Sequence, residues 1–277
     1  MKKRQKELLA NGLTYIFLLL CALMALMPFA WMLTSSFKQT NQVFTYPMKW
    51  LPEQWEWENY IKIFQKIPFA LYIWNTVKVT IGTVFFMVLT STFAAYGFAK
   101  IKFPGRNFLF FIYISTMAIP WHARMIPQYM IMKHLHLTNS HLGLVVLFGF
   151  APFGVFLVRQ FYTQIPDELC EAARIDGLSE YGIYAKIMMP LSKPVIATLV
   201  IFSFVNAWND YLGPLIYINS DNKKVIQTGL KLFITTFSAD YSMIMTGCVI
   251  SIIPIFFVFI FAQKYFIEGI ATSGLKG

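Results

Sequence analysis

The chain has 277 residues, of which 57% are hydrophobic and only 13% are charged. An ordinary soluble domain carries about 25% charged residues, so this composition excludes that class and indicates an integral membrane protein. The net charge of +10 does not indicate nucleic-acid binding, because the basic residues lie at the ends of apolar runs and form no basic stripe with interleaved aromatic residues.

Six apolar stretches are long enough, or nearly so, to cross the hydrocarbon core of a membrane as helices. Isolated strands would leave backbone polar groups unpaired in lipid. We therefore predict an all-α integral membrane fold that forms a single transmembrane domain over residues 1–277. The predicted spans are about 12–34, 73–99, 107–132, 142–162, 194–218 and 243–266.

The N-terminal segment is basic and is followed by a long apolar run. Lys2, Lys3, Arg4 and Lys6 precede the run from Gly12 to Leu33. This run is longer than the apolar region of a signal peptide, and no cleavage site of small residues follows it. We therefore expect an uncleaved first span.

The distribution of Lys and Arg predicts which side of the membrane each loop occupies. The denser set lies in residues 2–6, 100–106, 159–193 and 264–276, and the sparser set lies in residues 38–66, at residue 133 and in residues 223–231. Because positive charge is enriched on the cytoplasmic side, both termini and the loop between spans four and five are predicted to be cytoplasmic.

The first outer loop, about residues 35–72, is long for a connection between two helices. It contains Trp50, Trp55 and Trp57. These residues indicate an aromatic belt at the membrane–water interface, and a docking surface is the alternative.

The third span contains two prolines, Pro120 and Pro127. Prolines remove helix hydrogen bonds, and the resulting irregular backbone is tolerated only within protein or beside a water-filled cavity. Trp121 and Arg124, which lie at this interruption, are therefore candidates for a substrate pathway. Arg124 is expected to extend its charge toward the outer interface, and the alternative is that it pairs with Asp210 or lines a gate.

Three histidines lie in the outer segment from Lys133 to His141. Their spacings of two and five residues match no standard zinc pattern, and no cysteine or carboxylate lies nearby. We predict a polar turn there and no metal site.

The cytoplasmic loop, about residues 163–193, is the longest charge-rich segment between two apolar ones. Pro166 suits the first position of a helix, and the two acidic residues that follow it favour the positive end of the helix dipole. Gly177 suits the position just past the helix end, where φ is positive. Ser179 suits the cap of a second helix. The pattern predicts two short helices joined by a tight turn.

The fifth span contains an ionisable residue at depth, Asp210, beside Asn206, Trp208 and Asn209. Such residues are costly in a membrane and are candidates for function, so we place these four in a candidate substrate pathway. A polar contact between helices is an equally good interpretation.

These motifs resemble the permease subunits of binding-protein-dependent ABC importers. The cytoplasmic loop matches the EAA loop of that family at Glu171-Ala172-Ala173, Asp176-Gly177, Ile187, Pro190 and Pro194, and it departs from the usual pattern at Leu178 and Tyr184. The resemblance covers most of the chain. The carbohydrate-importing branch, and within it the smaller six-span subunit of maltose-type systems, is similar at Asn75-Thr76, Trp208-Asn209-Asp210 and the C-terminal tail from Glu268 to Gly277.

The resemblance implies a transporter subunit of a prokaryotic cell membrane that catalyses no covalent chemistry. Its implied partners are a second, homologous permease subunit, two ATPase subunits, an extracellular or periplasmic sugar-binding protein and membrane lipid. ATP and Mg²⁺ would be bound by the ATPase subunits, since this chain contains no Walker A sequence and is expected to bind no cofactor itself. The residues implied to contact the ATPase are Glu168, Glu171, Ala172, Ala173, Asp176, Gly177 and Pro190 in the loop, and Gly274, Lys276 and Gly277 in the tail.

Two other classes of function compete with this one. A secondary transporter or channel driven by an ion gradient usually has buried charge relays or paired broken helices in two matching halves. Here only Asp210 and Arg124 qualify, and the halves do not match. A membrane-embedded enzyme would need a catalytic constellation of His, Asp or Glu, which the sequence lacks.

Overall fold

The structure is a computed structural model that describes residues 2–235 and 238–274. The predicted all-α class is confirmed, because this part of the chain is mostly helical and contains no strand beyond one isolated bridge between Ile234 and Ala239. The α-helices in chain order are α1 (Lys2–Ser36), α2 (Thr40–Val43), α3 (Asn59–Lys66), α4 (Phe69–Lys100), α5 (Arg106–Ser115), α6 (Trp121–His134), α7 (His141–Phe148), α8 (Pro152–Tyr162), α9 (Asp167–Ile175), α10 (Glu180–Ile183), α11 (Met189–Leu191), α12 (Lys193–Asn209), α13 (Leu212–Tyr217), α14 (Ile226–Leu230) and α15 (Tyr241–Gly274).

The chain forms two compact units. The first consists of Met1–Phe69 with Leu230–Ile253, and the second consists of Ala70–Gly229 with Pro254–Gly277. In the first unit a buried amide joins three helices. Asn59 Nδ2 donates to the carbonyls of Ser36 and Lys38 at 2.9 and 3.0 Å and to Ser242 Oγ at 2.8 Å. Because a buried polar group is costly unless it is hydrogen-bonded, this satisfied amide fixes how the ends of α1, α3 and α15 meet.

The second unit has a core that joins the loop of residues 163–193 to the long helices. Its buried apolar residues are Ala95, Tyr96, Phe110, Val155, Val158, Tyr162, Cys170, Ala173, Ile183, Met188, Val195 and Leu199. Helices α4 and α8 approach closely at Gly154, where a Cβ atom would overlap Ser91 Oγ. Glycine is required there because any larger residue would separate the two helices.

Three helices are long and apolar enough to cross a membrane, namely Asn11–Ser36, Phe69–Lys100 and the part of α15 from Tyr241 to Phe261. Three bent pairs of helices meet the same test together. They are Arg106–Ala118 with Trp121–His134, bent by 104°, His141–Phe148 with Pro152–Tyr162, bent by 45°, and Glu180–Leu191 with Lys193–Asn209, bent by 79°. The described residues therefore hold up to six spans by length and composition.

The prediction of one continuous helix over residues 194–218 is wrong. Helix α12 ends at Asn209, Asp210 has an extended conformation with φ −66° and ψ 122°, and α13 begins at Leu212. The Asp210 carboxylate accepts a hydrogen bond from the Gly213 N–H at 3.2 Å. A side-chain acceptor that satisfies a free N–H at the start of a helix favours a break at that position.

Candidate functional site

The first helix of the loop of residues 163–193, α9, begins and ends where local chemistry favours a boundary. Pro166 is the residue that precedes the helix, not its first residue as predicted, because its ψ of 138° is extended. At the other end Gly177 has φ +83° as predicted. The Leu178 N–H donates to the Ala173 carbonyl and the Gly177 N–H donates to the Arg174 carbonyl, both at 3.0 Å. This pair of bonds is the Schellman motif, which satisfies carbonyls that the helix end leaves free.

The second helical segment of the loop begins at Ser179, whose Oγ accepts the Gly182 N–H at 3.3 Å as predicted for a cap. It continues through α10, a π-helical turn at Tyr184–Met188 and α11. Pro190 lacks an N–H and its ring clashes with the carbonyl four residues earlier, so a widened turn just before it is the expected accommodation. The chain then bends by 79° at Ser192 and enters α12.

One stripe of α4 holds the loop in place. Lys100 Nζ donates to the Ile165 carbonyl and to Asp167 Oδ1, both at 2.6 Å, and the Lys100 side chain is only 3% exposed. One turn earlier, the Tyr96 hydroxyl donates to Glu180 Oε2 at 2.6 Å. These links attach both helices of the loop to the last turns of α4.

A third link lies one further turn back along the same stripe. The hydroxyls of Thr92 and Tyr184 are 2.8 Å apart. Residues 92, 96 and 100 are four apart, so they share one face of α4. This i, i+4, i+8 repeat of a hydroxyl, a phenol and an amine is visible in the sequence, but these three residues were not among the predicted site residues.

The loop also carries an internal ion pair between its two helices. Arg174 Nε donates to Glu180 Oε1 at 2.7 Å, so the Glu180 carboxylate bonds both Arg174 and Tyr96. Asp167 has a comparable role at the start of α9. Its hydrogen bond from Lys100 holds the pKa of the Asp167 carboxyl below its ordinary value, and the neighbouring Lys102 and Arg106 act in the same direction.

The opposite face of α9 is exposed. Glu168, Glu171 and Ala172 lie there, since positions 171 and 172 are three and four residues after 168, and Ile175 continues the face with 87% of its surface exposed. In the part of the chain that the structure describes, Glu168 and Glu171 form no ion pair. This face therefore presents two carboxylates, a small residue and a large apolar side chain to any partner.

The other predicted coupling residues divide between the exposed and buried sides of the loop. Asp176, Gly177 and Pro190 are exposed. Ala173 is only 4% exposed and packs in the core beside Cys170, which is 1% exposed. Of the predicted tail residues, Gly274 is the last residue of α15, and Lys276 and Gly277 lie outside the described residues.

The candidate pathway residues of the fifth span do not converge on one point. Asn206 is exposed, whereas Trp208 is 2% exposed and stacks on Phe204 with ring centroids 5.5 Å apart. Asn209 Nδ2 donates to the Val205 carbonyl of its own helix at 3.0 Å. Asp210 caps α13, as described above. Two of these polar groups are thus bonded within their own segment.

The third-span candidates lie at the 104° break between Arg106–Ala118 and Trp121–His134. Trp121 lies 6.4 Å from the Phe148 ring, and Phe148 in turn borders Gly213 in the turn that Asp210 caps. Trp121 and Gly213, the glycine whose N–H the Asp210 carboxylate accepts, therefore both lie beside the Phe148 ring. Arg124 is exposed, and no ion pair joins it to Asp210 within the described residues.

Comparison with known proteins places the chain among membrane transport components. Residues 87–272 match the family described as binding-protein-dependent transport system inner membrane component. The chain is 33% identical over 280 residues to the arabinooligosaccharides transport system permease protein AraQ of Halalkalibacterium halodurans, which covers 100% of both chains. It is 29% identical over 259 residues to the lactose transport system permease protein LacG of Rhizobium radiobacter, which covers 94% of both.

A solved structure has the same fold. It is the crystal structure of a bacterial ABC transporter involved in the import of the acidic polysaccharide alginate, and one of its chains aligns with a TM-score of 0.81 at 26% sequence identity. The alignment covers 92% of this chain and 96% of that one.

Proposed function

The chain belongs to the family of binding-protein-dependent transport system inner membrane components, and from that premise we propose that it is one permease subunit of an ATP-driven carbohydrate importer. Members of this family are transport components and not enzymes. The substrate class is inferred from the relatives, whose names include arabinooligosaccharides and lactose. No finding supports an ion-gradient-driven transporter.

The exposed surface of α1 supports a place in the membrane. Leu13, Phe17 and Met24 are 69%, 65% and 75% exposed, and they belong to the apolar stretch Asn11–Ser36. A contiguous apolar surface of this kind is unfavourable in water. Lipid, or a second permease subunit in a heterodimer, would cover it.

We infer that the exposed face of α9 docks on an ATPase subunit. The observation that carries this inference is the two-sidedness of the loop, which is bound to α4 through residues 92, 96 and 100 on one side and leaves Glu168, Glu171 and Ala172 exposed on the other. A movement imposed on that face would be transmitted to α4 because the attachments are short, charged or buried hydrogen bonds.

Transport then needs no covalent chemistry in this chain. ATP and Mg²⁺ bound by two ATPase subunits would favour one arrangement of the loops over another, and the pathway formed with the second permease subunit would open to alternate sides. A partner shifts such an equilibrium only by as much as its affinities for the two states differ. An extracellular or periplasmic binding protein would deliver the sugar, and the tail with Gly274, Lys276 and Gly277 is proposed to face the ATPases.

The docking proposal is tested by reversing charge on the exposed face. Glu171→Lys, and separately Gly177→Asp, should abolish sugar uptake and the uptake-coupled part of ATP hydrolysis in proteoliposomes, while the protein remains in the membrane. Glu58→Lys is the matched control, because Glu58 is an exposed carboxylate on the first outer loop. Normal uptake by both loop variants would contradict the docking role.

The energy source is tested in the same vesicles. Uptake should require ATP on the ATPase side and should continue in the presence of an uncoupler that collapses ion gradients. Uptake that stops with the uncoupler and proceeds without ATP would instead assign the chain to the gradient-driven class.

A further inference from the structure

The outer loop that follows α1 contains a cavity of about 350 Å³. This volume lies at the lower end of the range of about 300–1,000 Å³ that is typical of small-molecule sites. Its polar lining includes Asn41, Gln42 and Thr45, and its apolar lining includes Tyr46, Leu51 and Pro52. The cavity lies wholly within the first compact unit.

Three polar side chains of the lining, Asn41, Gln42 and Thr45, are neutral. The Thr45 hydroxyl oxygen is buried and has no hydrogen-bond partner among the described residues. The side chains of Asn41 and Gln42 likewise form no hydrogen bond within that part of the chain. A buried hydroxyl without a partner is costly, and a hydrogen bond from a bound molecule would remove that cost.

The charged groups of the lining already have partners. Lys38, which is 1% exposed, donates from Nζ to the Lys49 carbonyl at 2.5 Å and lies 4.0 Å from the centre of the Trp31 ring. The Lys49 ammonium pairs with the Glu53 carboxylate. These bonds brace the walls of the cavity, and they leave amide and hydroxyl groups as the functional part of its surface.

This combination fits a neutral sugar. Amides and hydroxyls both donate and accept hydrogen bonds, as sugar hydroxyls do. The fully exposed Tyr46 ring, together with Leu51 and Pro52, offers an apolar surface for the C–H face of a sugar ring. A purely apolar ligand would cover the Asn41 and Gln42 amides without giving them hydrogen bonds.

We propose that this cavity is a carbohydrate-binding subsite on the outer loop, separate from the candidate pathway of the third and fifth spans. The inference rests on the proposed transport of sugars. The cavity lies in the loop that the distribution of Lys and Arg predicts to be on the outer side, where a binding protein would deliver the sugar.

The experiment uses the complex of this chain with its second permease subunit and ATPases in lipid nanodiscs, without the binding protein. Saturation-transfer NMR is recorded with lactose and with arabinotriose as probes. Wild type should show transfer to the sugar C–H protons. Gln42→Leu and Thr45→Val should each weaken the apparent affinity by about threefold to tenfold, the effect of one lost hydrogen bond.

Two matched controls separate the site from general damage. Gln54→Leu makes the same change at an exposed glutamine of the same loop that does not line the cavity, and it should bind as wild type does. Thr45→Ser keeps the hydroxyl and should restore binding. Equal signals from wild type, Gln42→Leu and Thr45→Val, or no signal from wild type, would overturn the subsite.

Uptake of the same sugars, measured in parallel with the binding protein present, distinguishes this proposal from the proposed function. Normal ATP-dependent uptake without a wild-type NMR signal would contradict the subsite proposal and leave the proposed transport function intact. An NMR signal that depends on the cavity residues, without any sugar uptake, would contradict the proposed transport function and leave the subsite proposal intact. A variant that weakens affinity for the binding protein while leaving the sugar signal unchanged would assign the cavity to protein docking and also overturn the sugar subsite.

Discussion

The loop of residues 163–193 and the polar residues at 206–210 differ in what their polar groups bind. In the loop, the inward carboxylates bond to another helix, as Asp167 does to Lys100 of α4, and the outward carboxylates of Glu168 and Glu171 form no ion pair in the described chain. In the fifth span, Asn209 and Asp210 bond the backbone within four residues of themselves. A polar residue in an apolar segment is therefore evidence for a ligand only after its local bonds have been considered.

The largest effect should come from detaching the loop from α4. Lys100→Met leaves the Ile165 carbonyl without its donor, a loss of about 1–3 kcal/mol for a buried group. Sugar uptake should fall close to zero while the complex still forms and hydrolyses ATP without coupling. The control is Lys102→Met, at an exposed lysine two residues away, which should keep normal uptake. Equal behaviour of the two variants would show that the attachment is not needed.

A smaller loss should follow from Gly177→Ala. Gly177 has φ +83°, and a Cβ atom there would meet nothing within 4 Å, so any cost is backbone strain of about 1–2 kcal/mol. Gly97→Ala is the matched control, since Gly97 also has open space but lies within α4 without a positive φ. The thermal unfolding temperature and the rate of sugar uptake should both decrease for Gly177→Ala and stay unchanged for Gly97→Ala. A decrease in both variants would show that the loss does not come from the positive φ at the turn.

Asp210 gives the sharpest contrast with the loop. Asp210→Asn keeps an oxygen that can accept the Gly213 N–H, whereas Asp210→Ala removes the cap at a cost of about 1 kcal/mol. If the role of Asp210 is to cap α13, the Asp210→Asn variant should transport nearly as well as wild type and the Asp210→Ala variant should be less stable. If Asn raises the KM for sugar uptake as much as Ala does, the carboxylate itself contacts substrate and the two regions are more alike than their bonding indicates.

The smallest effect should be the dependence of the loop attachment on pH. The bond from Lys100 lowers the folded-state pKa of Asp167 below its ordinary 3.8. Its contribution to stability is therefore complete above pH 3.8 and is lost as pH falls through the lower folded pKa. Hydrogen exchange at residues 165–170, corrected for intrinsic rates, should increase in that range. The Asp167→Asn variant should not show this pH dependence of hydrogen exchange. If the variant still shows it, a group other than Asp167 is responsible.

Much of the local structure could be predicted from residue chemistry. The positive φ of Gly177, the Ser179 cap and the burial of Ile183 and Met188 in the second loop helix follow from rules that act over four residues or fewer. The breaks were harder to predict, as at Asp210. Hydropathy counts apolar residues in a window, and it does not register one carboxylate that caps a new helix.

The sequence by itself determined the number of apolar segments, the helix-forming loop and the family, because chain length, hydropathy and caps are local quantities. Only the tertiary structure decided which side of α9 is exposed, that Ala173 is buried while Ala172 is not, and that residues 92, 96 and 100 hold the loop. These facts depend on which surfaces approach each other across tens of residues, and no window of sequence contains both partners.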